Sequence, residues 1–107
     1  MTKSKTTLTT GEIIRQLRDK KALPLRKIAA QLDIDTSFFS KIERSERKAT
    51  KEQIYKLEEI FQVEKDFLMI PYLSEKIYSE LSEVDCAGEV LKVAEERVKY
   101  EKRLSKK

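Results

Sequence analysis

Between Leu25 and Arg44 the chain reads LRKIAAQLDIDTSFFSKIER, and its apolar residues cannot all lie on one continuous helix. Ile28, Ala29 and Leu32 fit one short helix, and Ile34, Phe39 and Ile42 fit a second. The phase breaks over Asp33 to Asp35, and the small Ala29 stands where two crossing helices would approach most closely. The segment is therefore expected to fold as two short helices meeting across a tight turn. The rest of the chain fits this: 2 Gly, 2 Pro, 39% charged residues, and Glu, Lys, Leu and Ile recurring at three- and four-residue spacings. No apolar–polar alternation persists, so an all-α protein is expected.

The flanking helices follow from caps and periodicity. Thr9 or Thr10 can cap a helix over residues 10–20 whose apolar face is Ile13, Ile14 and Leu17. Pro24 precedes a helix over 25–32. Asp33 then occupies a turn position where Gly is usual, and Asp35 can cap a third helix reaching Arg44. Thr50 and Gln53 form a capping box for a fourth helix carrying Ile54, Leu57 and Phe61. A short fifth helix is expected over 65–70, with Phe67 and Leu68 closing the bundle. Pro71 reads as a change of direction before an amphipathic helix over 72–84 and a last charged helix that starts near Gly88 and reaches about Leu104. Residues 1–7 are polar and read as a disordered arm, 8–70 as a domain, and 71–107 as a helical extension.

Composition narrows the chemistry. With no His and one cysteine, Cys86, neither a Cys/His metal cluster nor a Ser-His or Cys-His nucleophile pair can be assembled. No enzyme activity, metal or cofactor is expected. The opening MTKSKTTLTT lacks the apolar core of a secretory signal, and no apolar run is long enough for a membrane span, so a cytoplasmic location is expected. No pocket for a small effector is evident. Residues 1–50 carry 12 Lys and Arg against 6 Asp and Glu, whereas residues 51–107 carry 11 against 13. The basic excess thus coincides with the two-helix segment. Phosphate contacts supply most non-specific affinity for DNA, so the segment reads as a helix-turn-helix facing double-stranded DNA.

In that geometry the second helix of the pair enters the major groove and its N-terminal residues reach base edges. The base-contact candidates are Thr36, Ser37, Ser40 and Lys41. Hydroxyls can donate or accept, and a lysine suits the O6/N7 acceptor pair of guanine. Phe38 can either touch a thymine methyl or pack on a neighbouring helix. Arg26, Lys27, Arg44, Arg47 and Lys48 are the phosphate-contact candidates, with solvated surface charge as the alternative for each.

The stretch IRQLRDKKALPLRKIAAQLDIDTSFFSKIERSERKATKEQIYKLEEIF, within residues 11–69, resembles the lambda repressor-like (xenobiotic-response-element type) helix-turn-helix family. The S-K-I-E-R segment and the loop before T-K-E-Q carry most of the likeness. The resemblance implies a five-helix DNA-binding domain, here with a C-terminal helical extension, working as a homodimer on a palindromic operator. It also implies a structural salt bridge between Arg18 and Glu43. Three positions depart from the family pattern. Leu25 stands where a phosphate-contacting Gln is frequent, Asp33 replaces a turn Gly, and Ser45 replaces a Gly after the recognition helix. The Gln contact is therefore not carried over. The wording also resembles bacterial regulators associated with restriction-modification genes, which implies a bacterial or phage-encoded repressor or activator. The competing reading is an antitoxin or adaptor that meets a protein partner through residues 72–107.

Overall fold

The structure, a computed structural model, describes residues 8–105. The expected arm at 1–7 lies outside them. Six helices follow in order: α1 (Thr10–Lys20), α2 (Leu25–Gln31), α3 (Thr36–Glu43), α4 (Lys51–Phe61), α5 (Met69–Leu81) and α6 (Ala87–Ser105). There is no strand among the described residues, and no helix there is long and apolar enough to cross a membrane. The chain divides into two compact units, the first ending at Lys76 and the second beginning at Ile77.

The first unit is built around one core. Ile14 of α1, Ile28 of α2, Phe39 of α3, and Ile54, Leu57 and Phe61 of α4 are fully buried, together with Leu68. Ala29, Leu32, Ile42, Ala49, Met69 and Tyr72 complete it. Burial of these side chains is the main force holding the short helices, since segments of 7 and 8 residues such as α2 and α3 would not persist alone.

Local signals set the ends. Two reciprocal capping boxes open α1 and α4, Thr9 with Glu12 and Thr50 with Gln53. The Thr9–Glu12 box escapes a reading that considers Thr9 only as a simple cap. Ala22, Asp33, Ser45, Gln62 and Asp66 adopt left-handed backbone with φ between 52° and 69° in the turns after helices or before α5. Asp33 takes this conformation at 58° and Ser45 at 64°, where a glycine would be free of the side-chain penalty.

Two expectations need correction. The short helix at 65–70 and the helix at 72–84 are not separate. Lys65 to Leu68 form a turn, and one helix, α5, runs from Met69 through Pro71 to Leu81. Pro71 occupies the third position of that helix, within the first turn, where an N–H has no intrahelical acceptor and its loss costs little. Val84 falls in the turn after α5 rather than on it. The first half of α5, through Lys76, belongs to the first unit.

The start of α5 is tied down by side chains. The buried Glu58 carboxylate on α4 accepts from the backbone N–H groups of Leu68 and Met69 at 2.9 and 3.0 Å. The Tyr72 hydroxyl donates to the Ala49 carbonyl. Glu75 accepts from the Thr10 N–H and hydroxyl at 3.2 and 3.3 Å, placing a carboxylate at the N-terminus of α1. In the second unit, no residue of α6 is buried.

Candidate nucleic-acid interface

Helix α2 closes through backbone bonds from Asp33 N–H to the Ala30 carbonyl and from Ile34 N–H to the Ala29 carbonyl. The left-handed Asp33 reverses the chain within this turn, and Ile34 packs against the core. Asp35 takes the extended N-cap conformation of α3 but makes no side-chain capping bond, so it contributes backbone geometry and a negative charge near the helix N-terminus.

The sequence of α3 then decides which face is free. At 100° per residue, Thr36, Ser37, Ser40, Lys41 and Arg44 project to one side, and Phe39, Ile42 and Glu43 to the other. Phe39, Ile42 and Glu43 are buried, while Thr36, Ser37 and Lys41 are exposed and Ser40 is half-buried. Phe38 is half-buried and packs against the core, which favours the neighbouring-helix option for it. The free face therefore carries three hydroxyls, the Lys41 ammonium and the Arg44 guanidinium, all able to hydrogen-bond DNA.

The cations form two groups. Arg26 and Lys27 lie in the first turn of α2, and Arg47 and Lys48 follow α3 in the loop; all four are exposed. Among the described residues, no carboxylate pairs with any of these or with Lys41. Arg44 differs. Its Nε donates to Glu46 at 2.8 Å and its Nη1 to the Ser40 hydroxyl at 3.1 Å. Both Arg44 and Ser40 are thus engaged with neighbours on the free face.

Behind the free face, Arg18 and Glu43 join α1 to α3. Arg18 Nε and Nη2 donate to the two Glu43 carboxylate oxygens at 2.7 and 3.1 Å, and Nη1 reaches the Leu23 carbonyl at 3.3 Å. The Glu43 side chain is 5% exposed and that of Arg18 17%. The hydrogen bond to Glu43 raises the Arg18 pKa above its ordinary value.

Gly11 is a residue that the sequence reading leaves without a role. A Cβ there would come within 2.3 Å of the Ile42 carbonyl oxygen and 2.6 Å of the Glu43 one. Helix α1 thus rests directly on the backbone of α3, and only glycine permits it. The signal was available: a glycine inside a helix costs stability unless another backbone needs its place. The Thr9 and Ser45 hydroxyls meet at 2.8 Å and link the entry of α1 to the exit of α3. The structure also contains an apolar groove that the sequence does not reveal, lined by Leu8, Ile13, Leu17, Phe67, Ile70 and Pro71 and containing none of the base- or phosphate-contact candidates.

Comparison with known proteins agrees with this geometry. No curated protein and no solved structure matches the chain. A helix-turn-helix family model matches residues 14–68, a span that holds the whole of α2, α3 and α4. The chain therefore belongs to the lambda repressor-like helix-turn-helix family of DNA-binding regulators.

Proposed function

We propose that the chain regulates transcription by binding a short palindromic operator as a homodimer, with α3 in the major groove. Thr36, Ser37, Ser40 and Lys41 read base edges, and Arg26, Lys27, Arg44, Arg47 and Lys48 meet phosphates. The observation that carries this reading is the free face of α3: polar and cationic, followed in the chain by the exposed Arg47 and Lys48, and mounted on a buried face that fixes its orientation. Two such faces related by a two-fold axis would lie about 34 Å apart, one turn of DNA. Arg18 and Glu43 hold α3 in place and do not contact DNA.

Selection from genomic fragments in moderate salt tests the proposal. The expected result is an enriched inverted repeat whose half-site centres are about 10 base pairs apart, with affinity falling steeply as salt rises. No enriched site, or affinity independent of salt, would refute it.

A second reading is a protein-interaction role of the antitoxin or adaptor kind. It is favoured by the exposed apolar side chains of α6. Truncation separates the two readings, but the cut belongs after Lys76, because Tyr72 and Glu75 serve the first unit. Unchanged DNA affinity and oligomeric state after removal of residues 77–107 would favour a partner surface there. A toxin gene next to this one would favour the antitoxin role, and a methyltransferase and endonuclease would favour a restriction-modification controller.

A further inference from the structure

Helix α6 has 19 residues, about 28 Å of helix, and none of them is buried. Val90, Leu91, Val93, Val98, Tyr100 and Leu104 are all exposed large hydrophobics, between 40% and 64% accessible. With Ala87 and Ala94 they occupy an arc of about 180° around the axis at 100° per residue. Arg97 and Glu101, one helical turn apart, interrupt this arc, but apolar side chains dominate it, and a helix in a protein gains most of its stability by packing such a face.

The charges along the helix indicate what covers it. From Ala87 to Glu96 there are three glutamates, Glu89, Glu95 and Glu96, against Lys92, a net −2. From Arg97 to Ser105 there are Arg97, Lys99, Lys102 and Arg103 against Glu101, a net +3. The sign changes between Glu96 and Arg97, at the middle of the helix. A parallel pair of such helices would set acid beside acid and base beside base. An antiparallel pair sets each acidic half against the basic half of its partner and has the self-complementarity that a two-fold axis requires.

We infer that α6 is a self-association surface that pairs antiparallel with the α6 of a second copy of this chain. The inference rests on the homodimer proposed above, but not on the operator. One helix face is a small interface, so the dimer is expected to dissociate in the micromolar range.

Charge reversal in the full chain tests this. One variant carries Glu89→Lys, Glu95→Lys and Glu96→Lys, and a second carries Arg97→Glu, Lys102→Glu and Arg103→Glu. In sedimentation without DNA, each alone should be monomeric where the unaltered chain is dimeric, a loss of at least about tenfold in affinity. Their equimolar mixture should restore a dimer. Homodimers that survive both reversals would place the contact elsewhere and overturn the inference while leaving the homodimer standing. A mixture that stays monomeric would also overturn it, and a monomeric unaltered chain would remove the homodimer as well.

Orientation is read separately, on a chain with one substitution. Cys86 is exposed and directly precedes α6. Antiparallel pairing holds the two Cys86 residues at opposite ends, each near position 105 of the other copy. Mild oxidation of the Ser105→Cys chain should link Cys86 of one copy to position 105 of the other, located by peptide mapping. Links between two Cys86 residues, or no link between copies, would overturn the antiparallel arrangement.

Discussion

Arg44 stands where the internal bonding of α3 meets its proposed ligand. Its guanidinium is held between the Ser40 hydroxyl and the Glu46 carboxylate, so a DNA phosphate would have to replace Glu46. The pair is exposed and worth no more than about 1 kcal/mol, which makes that exchange accessible. Glu46→Ala is therefore expected to tighten DNA binding by up to roughly fivefold, as measured by fluorescence anisotropy at low salt. Gly11 makes the opposite kind of demand, for space. Gly11→Ala puts a methyl into the α3 backbone and should destabilise the fold by about 1–3 kcal/mol in urea unfolding, with DNA affinity falling only as far as α3 is displaced.

Among the elements, α3 depends on α1. The Arg18–Glu43 fork is largely buried, and breaking one side of such a pair leaves the other charge without compensation. Arg18→Ala should cost about 3 kcal/mol of unfolding free energy, whereas the double change Arg18→Met with Glu43→Leu should recover most of it. The pH dependence follows from the sign of the Arg18 shift. A raised cationic pKa contributes stability that is fully present below the unfolded value and is lost as pH rises through the folded one. This contribution is therefore constant through neutral pH and lost only in strong alkali. The helices α1 to α4 were legible in the sequence because capping residues and three- and four-residue spacings are local signals. The start of α5 was not. It depends on Glu58 reaching Leu68 and Met69, and on Tyr72 and Glu75 reaching Ala49 and Thr10, contacts between residues far apart in the chain. A glutamate on an amphipathic helix reads as solvated until its partner is known. Pro71 was misread for the same reason: a proline that ends one helix and one that opens another look alike without the anchoring contacts.

Across the whole molecule, function and charge are segregated by position in the chain. Residues 1–50 hold the basic excess, with the proposed reading face and its flanking cations, while 51–107 are slightly acidic and include the charge-polarised α6. The division of α3 into a buried and a free face was readable from spacing alone, because one set of residues had to fill the core. The engagement of Ser40 by Arg44 was not, since spacing shows which residues are neighbours but not which of them bond. The central claim is that the free face of α3 reads sequence while the adjacent cations only hold phosphate. Its most direct test is to titrate the unaltered chain, Lys41→Ala and Arg47→Ala against the selected operator and an unrelated duplex over a range of salt. Lys41→Ala should lose about 1–3 kcal/mol on the operator alone and relax the preference at one base position. Arg47→Ala should weaken both duplexes alike and reduce the salt slope by about 1. Equal losses for the two substitutions on both duplexes would contradict the account.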